Sequence, residues 1–517
     1  MGQKILWIDD EIDFLKPHIL FLESKGYEVT KAISGNDALE LLKEHPSGWD
    51  LVLLDENMPG LSGLETLERL KLVSPDVPVV MITKSEEEDL MDQAVGNQIR
   101  DYLIKPVNPN QILLTIKKLL DVDRLVSEQA SVSYRREFMD ISSLINEAHT
   151  FRDWAEIYRR LTIKQLEFGE TAPDIMALLF SQFEEAESAF LRFIKREYIN
   201  LLAESSDSVL LSHQVMENKV LPVLRKEGRA VLMVMDNFRL DQWLTVKPLF
   251  TEHFSVENAE LYCGLLPTAT QYARNSLFSG LLPRDIEKHF PDLWIDEEDE
   301  RSKNLNEEPL VRNFLERNGM SDMPLSFFKA NSSSHLNDII SSLNGESKGL
   351  TVIVINFVDI LSHAKTDSEM IKELASNDAA YRSLTLSWFR HSPFQELLRI
   401  ISRSGTRLFF TTDHGTILVK NPVKIVGDKT VNTALRYKLG RNLAYQAKEV
   451  MEISRPFDAG LPSPNLSTRY IFAGGHDFFV YQNNFNQYVR QFSDTYQHGG
   501  VSFEEMILPL IELKGKQ

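Results

Sequence analysis

The most restrictive feature of this sequence is a pattern found in both halves: a short apolar run that ends on a carboxylate. Lys4–Ile8 (KILWI) meets Asp9-Asp10-Glu11, and residues 51–54 (LVLL) meet Asp55. Far downstream, residues 230–235 (AVLMVM) meet Asp236, residues 350–357 (LTVIVINF) lead to Asp359, and residues 407–412 (RLFFTT) deliver Asp413-His414-Gly415. Each run is too short for a typical helix and suits a buried strand. In open sheets wound with helices, the crevice lies outside the carboxyl ends of the strands. A chain that repeatedly sets acids there is predicted to be α/β, with its chemistry at the strand ends.

Residues 1–122 show the alternation most fully. Strands are predicted over 4–8, 27–32, 51–54, 77–82 and 102–104, with helical stretches between them, which makes a doubly wound parallel sheet. Asp9, Asp10 and Asp55 converge at its rim as a carboxylate cluster suited to Mg2+, a hard cation that takes oxygen ligands. Thr83 brings a hydroxyl to the same rim, and Lys105 a point charge. This segment resembles a response-regulator receiver domain. Asp55 followed by Glu56-Asn57-Met58-Pro59-Gly60 matches the phosphoacceptor motif, Asp9 and Asp10 the metal-binding acids, and Thr83, Tyr102 and Lys105-Pro106 the switch positions. The resemblance implies phosphoryl transfer from a sensor histidine kinase onto Asp55. The full switch set, with a helix predicted to leave the domain, adds the expectation of a phosphorylation-promoted homodimer.

Residues 123–205 are predicted to be a small helical bundle that connects two domains. Trp154, Ile157, Leu161 and Phe168 recur at helical spacing, as do Leu179, Phe183, Ala186, Phe190 and Phe193. Cap signals stand at Thr150 with Asp153 and at Thr171-Ala172-Pro173-Asp174. A third helix is predicted to leave the receiver from about residue 110 through 126 towards 145.

In residues 206–517 the strand-end acids return, now joined by imidazoles. The inventory is Asp236, Asp359, His363, Asp413, His414 and His498, with Thr270 in a turn after the apolar run 261–266. Nitrogen and carboxylate donors of this kind suit Zn2+, and six are enough for two ions. Asp359 and His363 stand four apart, so one helical turn aims both at one ion. A bound metal also lowers a hydroxyl's pKa, which would let Thr270 act as a nucleophile.

This set resembles the alkaline phosphatase superfamily, and its PglZ branch in particular. The resemblance implies one ion held by Asp359, His363 and His498, and another held by Asp236, Asp413, His414 and the Thr270 oxygen. Pro267-Thr268-Ala269-Thr270 looks like the phosphodiesterase members, in which threonine is the nucleophile, and on that likeness Thr270 is chosen over Thr268. Arg274, Asn275 and His476 are candidate substrate contacts. No arginine is matched to the one with which monoesterases hold free phosphate oxygens, which tilts the expectation towards diesters.

The three parts in this order resemble the PorX-type family of response regulators of type IX secretion. That likeness implies a sigma factor or a secretion-system component as a partner. The reading is a zinc-dependent phosphodiesterase under phosphorylation control, acting on an oligonucleotide or cyclic nucleotide. The rival readings are a phosphorylation-controlled binding protein that uses the hydrolase fold as a recognition surface, and a phosphomonoesterase.

Composition bounds these readings. With 56 Lys and Arg against 75 Asp and Glu, the formal charge of -19 argues against double-stranded DNA binding, which depends on cations neutralising phosphates. The single cysteine, Cys263, fits a reducing compartment. The N-terminus reaches acids too soon for a signal-peptide core, and no apolar run nears the roughly 20 residues of a membrane span, so a cytoplasmic protein is expected. The acidic run 296–300 reads as a solvated loop, and 345–349 as a turn.

Overall fold

A computed structural model gives the fold. It describes residues 3–45, 48–75, 77–84, 99–121, 131–168, 173–203, 209–295, 305–343, 348–427, 434–447, 450–463, 465, 467–483 and 485–516. The acidic run 296–300, most of the 345–349 turn, the Thr171-Ala172 cap signal and the 122–130 part of the helix leaving the receiver lie outside the described residues. The chain divides into two compact units, Met1–Asp140 with Glu170–Ser181, and Ile141–Gly169 with Gln182–Gln517.

In the first unit, β1 (Lys4–Ile8), β2 (Glu28–Ala32), β3 (Leu51–Asp55), β4 (Val79–Thr83) and β5 (Asp101–Ile104) form a sheet in the order β2-β1-β3-β4-β5. All four pairings are parallel. Side chains alternate between two cores: Leu6, Ile8, Val52 and Leu54 enter one, and Ile5, Trp7, Leu51 and Leu53 the other. Both faces are therefore covered, as a parallel sheet requires. The order reverses between β1 and β3, which opens the crevice beside Asp9 and Asp55. Helix Gly63–Val73 starts against that crevice. A side chain at Gly63 would put its Cβ 2.5 Å from the Asp55 carbonyl oxygen, so only glycine allows this approach.

The second unit is built on β6 (Arg229–Met235), β7 (Phe254–Cys263), β8 (Leu325–Ala330), β9 (Gly349–Ile355) and β10 (Leu408–Thr411). The closing strand Ile507–Gly515 lies between β7 and β10, and beyond β10 the sheet continues β6, β9, β8. β10, β6, β9 and β8 are mutually parallel, and the closing strand runs antiparallel to both β10 and β7. Its amino end therefore meets the carboxyl ends of the others, which carries His498 to the same edge as Asp236, Asp359 and Asp413. β6 and β9 are buried almost throughout.

Two strand expectations change. The apolar run 261–266 is only the end of β7, which begins at Phe254 with the polar stretch Ser255 to Glu260. As the sheet's edge strand, β7 leaves much of that stretch in solvent, so hydrophobicity does not mark it. The run 350–357 ends its strand at Ile355, and Phe357 already begins helix Phe357–Asp367. The edge strand β8 (LSFFKA) carries no strand-end acid, and Ser326 and Lys329 interrupt its apolar run.

The connector is helical in its described parts: Ser131–Glu147, Phe151–Phe168 and the 31-residue Pro173–Ala203. The expected cap is present, with Asp153 Oδ2 accepting the Thr150 amide at 2.8 Å and Thr150 Oγ1 accepting the Asp153 amide at 3.3 Å.

β9 starts at Gly349 with φ +84°, where an added Cβ would stand 2.0 Å from the Pro324 carbonyl oxygen. Gly349→Ala is expected to lower the unfolding free energy by about 1–3 kcal/mol, the usual cost of forcing atoms into a packed site. Denaturant titration of the purified chain reads this directly.

Candidate active site: two ligand triads at one sheet edge

In the first unit, Asp9, Asp10 and Asp55 bring ligand oxygens within 4.8 Å of one another. Lys105 Nζ sits 2.9 Å from both Asp9 Oδ2 and Asp55 Oδ2. Burial pushes the Asp55 carboxyl above its usual range, against the pull of Lys105. Asp55 Oδ1 is buried and accepts no hydrogen bond. The Thr83 hydroxyl donates to Glu56. Tyr102, half-buried on β5, packs against the core that holds Leu54.

In the second unit, the six strand-end ligands fall into two triads. Asp359, His363 and His498 place donor atoms within 4.8 Å of one another, and Asp236, Asp413 and His414 do the same. Asp359 and His363 occupy one turn of helix Phe357–Asp367, with Nε2 of the histidine 3.5 Å from Oδ1 of the aspartate. The His414 and His498 rings stack at 4.3 Å between centroids, so the triads adjoin.

Both inner histidines are oriented by carbonyl oxygens. His414 Nδ1 lies 3.1 Å from the Gly415 carbonyl, and His498 Nδ1 lies 3.2 Å from that of Thr268. A carbonyl only accepts, so each Nδ1 carries the proton and each Nε2 keeps a lone pair for a metal. Asp236 Oδ1 is buried with no hydrogen bond. Burial, opposed by Arg274 and reinforced by Asp413, raises the Asp236 carboxyl to about 7, and burial with Asp236 beside it raises Asp359 to about 6. Buried acids whose carboxyls are raised in this way, beside imidazole nitrogens that keep their lone pairs, form a donor set suited to cations. The fit to metal ions is good.

The two threonines have separate jobs. Thr268 is fully buried; its hydroxyl accepts the Gly499 amide at 3.1 Å and donates to the Gly500 carbonyl at 2.9 Å. It ties its own loop to the one carrying His498. Thr270 begins helix Thr270–Ser279, and its Oγ1 lies 3.1 Å from His414 Nε2. A helix amino terminus favours an anion beside it.

One expected contact is corrected. Arg274 is fully buried and its guanidinium is engaged on three sides. Nε reaches Asp413 Oδ2 at 2.9 Å, Nη1 reaches Glu307 Oε1 at 3.2 Å, and Nη2 meets Asp236 Oδ2. It is spent on the carboxylates and holds them in place, so it is not available to substrate. Asn275 is also buried, with Oδ1 accepting no hydrogen bond. His476 sits in a turn with Nδ1 2.7 Å from the Leu418 carbonyl.

The comparisons with known proteins fit this layout. Residues 5–117 match the response regulator receiver domain, and 124–202 the PorX response regulator linker domain. Residues 215–513, more than half of the chain, match the BREX system PglZ alkaline phosphatase-like domain. The chain belongs to the PglZ family. Its three matches together make the PorX-type architecture, a response regulator with a hydrolase-like output domain. Among curated relatives, a CpxR homolog of Haemophilus influenzae is 38% identical over 119 residues, 23% of this chain and 50% of that protein. PhoB of Pseudomonas aeruginosa is 34% identical over 122 residues, 23% of this chain and 52% of that protein. The chain thus spans about half the length of these relatives, through the receiver segment. A receiver domain structure from Clostridium thermocellum is 32% identical, covers 24% of this chain and 98% of its own, and has a TM-score of 0.23.

Within this PglZ domain, two residues outside the predicted set hold the cluster together. Asn237, buried with φ +63°, sends its amide towards Asp413 Oδ1 (3.4 Å) and its side chain to Asp359 Oδ1 (3.4 Å) and Ser362 (3.0 Å), linking the triads. An asparagine straight after a strand-end acid was the available signal, since it tolerates left-handed backbone. Glu307, 1% exposed on helix Glu307–Arg317, is the third partner of Arg274, and no local pattern marks it.

Arg274→Met would leave Asp236 and Asp413 buried without their cation, and Glu307 paired with Lys329 alone. Removing one partner of a buried ion pair costs about 3–5 kcal/mol. A loss of that size is expected in denaturant titrations with EDTA present, and added zinc should restore part of it.

Proposed function

We propose that this protein is a response regulator whose PglZ domain is a zinc-dependent phosphodiesterase with Thr270 as the nucleophile. The observation that carries the reading is the position of Thr270 Oγ1, 3.1 Å from His414 Nε2, where the two triads adjoin. Asp359, His363 and His498 would hold one ion, and Asp236, Asp413 and His414 with Thr270 the other. Bound ions would supply Lewis acidity and lower the pKa of the threonine hydroxyl.

The chain's own residues supply the rest. Thr270 Oγ attacks phosphorus and gives up its proton to solvent, while the P–O bond to one alkoxide breaks and that alkoxide takes a proton from solvent. Water then cleaves the phosphorus–threonine bond of the ester-bearing intermediate, which releases a phosphate monoester and regenerates the hydroxyl. The helix that Thr270 begins directs its amides at the phosphoryl group. Arg274 holds Asp236 and Asp413 in place. With Arg274 engaged in this way, the reading favours a diester of nucleotide type over a monoester dianion.

Thr270→Ala is expected to lower zinc-dependent hydrolysis of bis(p-nitrophenyl) phosphate by roughly a thousand-fold or more. Undiminished turnover would sink the nucleophile assignment. Protein purified from zinc-replete medium should carry bound metal. A sample without it would point to the hydrolase fold serving as a recognition surface.

The receiver supports control by a sensor histidine kinase acting on Asp55, with magnesium at Asp9, Asp10 and Asp55. Lys105, bridging Asp9 and Asp55, is placed to follow the new charge. Beryllofluoride with magnesium is expected to shift the light-scattering mass from monomer to dimer at micromolar concentration; an unchanged mass would count against the switch. The linker match supports a role in type IX secretion with a sigma factor or secretion component as partner. Among the described residues no helix is long and apolar enough to cross a membrane, which agrees with the proposed cytoplasmic location.

A further inference from the structure

Helix Pro173–Ala203 supplies none of the ligands, yet it holds both loops that carry the site. From Gln182 onward it belongs to the second compact unit. Tyr198 accepts the Leu266 amide on its hydroxyl oxygen at 2.8 Å, four residues before Thr270. Glu187 Oε1 accepts the Phe503 amide at 3.2 Å, five residues after His498. Between them, Leu191 covers Gly474, where an added Cβ would meet Leu191 Cδ2 at 2.3 Å, and Gly474 itself bridges to Val501. Positions 187, 191 and 198 share one stripe of a helix.

The two loops are already joined to each other through Thr268, which bonds Gly499 and Gly500 and accepts His498 Nδ1 on its carbonyl. Helix and loops thus form a closed frame: Tyr198 at the nucleophile loop, Glu187 at the histidine loop, Thr268 across the top. The frame is packed as well as bonded. The Phe503 ring lies 4.8 Å from Phe190 and stacks on Tyr158 at 5.3 Å, both from the helices of the PorX-type linker match.

Neither polar group is needed to fill space. Tyr198 is 2% exposed and Glu187 6% exposed, positions where an apolar side chain of similar size would pack without desolvating an oxygen. Tyr198 adds a direction for one backbone amide, and Glu187 does the same while also bonding the Glu504 side chain. Burial, and then the carboxylate of Glu504, push the Glu187 carboxyl well above its usual range. A glutamine can therefore replace it in shape and in hydrogen bonding.

Accepting the hydrolase reading above, we propose that Tyr198 and Glu187 are positioning residues: through the Leu266 and Phe503 amides they set the separation between Thr270 and His498. The first turns of the same helix belong to the first compact unit.

The test uses the full chain and three variants, Tyr198→Phe, Glu187→Ala and Glu187→Gln. Readouts are kcat and KM for bis(p-nitrophenyl) phosphate with zinc, bound zinc by mass spectrometry, denaturant unfolding, and amide exchange of peptides spanning 264–272 and 497–504. Misplacement by about 1 Å can cost about 100-fold in rate. Tyr198→Phe and Glu187→Ala are therefore expected to lower kcat about 10- to 100-fold with KM within about two-fold. Exchange should quicken in the two loops, first in 264–272 for Tyr198→Phe and first in 497–504 for Glu187→Ala. Zinc content should fall in Glu187→Ala only, and Glu187→Gln should stay near the parent. Wild-type kcat and unchanged exchange in Tyr198→Phe and Glu187→Ala would overturn the proposal. So would equal losses in Glu187→Gln and Glu187→Ala that merely track the unfolding midpoint. If Glu187→Ala fails to fold, Tyr198→Phe, which removes a single oxygen, decides alone. If the parent hydrolyses no diester, the hydrolase reading fails and loop exchange still decides the positioning claim. An active parent with indifferent variants sinks the positioning claim only.

Discussion

Asp236, Asp413 and Glu307 meet around a single guanidinium, and the output domain depends on that meeting. Three carboxylates this deeply buried would repel one another and hold protons if no cation lay between them. Arg274 divides them instead, taking one oxygen of each. Arginine suits the task because its planar fork stays charged and presents several donors in fixed directions. The carboxylate atoms it leaves over, Asp236 Oδ1 above all, face the site. The acids are thereby pre-aimed before any ligand binds, at a cost borne by an ion cluster and not by strained backbone.

The receiver solves the same problem with a different cation. Asp9 and Asp55 share Lys105, a point charge on a flexible stem, at 2.9 Å from each. A lysine on its flexible stem can follow a charge that changes; an arginine clamped on three sides cannot.

Much of this was legible in the sequence because strand-end acids are local signals. Asp9, Asp55, Asp236 and Asp413 each follow an apolar run, and Asp359 with His363 shows helical spacing, so their grouping into clusters could be anticipated. His498 was harder, since it depends on the closing strand entering the sheet antiparallel and bringing its amino end to the working edge. Arg274 misled for the opposite reason. Its place after Thr270 suggested a substrate contact, whereas helix Thr270–Ser279 turns it inward towards Glu307, which lies 33 residues further on.

By itself the sequence determined the alternation of strands and helices, the two sheets, the helical connector and the identity of the metal-type donors. These follow from hydrophobic period and residue chemistry within windows of a few residues. Only the tertiary structure showed the donor atoms of each triad drawn together, with Thr270 beside His414 and Thr268 tying two loops together. It alone showed that the connector's long helix grips the loops of Thr270 and His498. Those facts rest on contacts between residues tens to hundreds of positions apart, where burial and hydrogen-bond satisfaction act and local pattern carries no information.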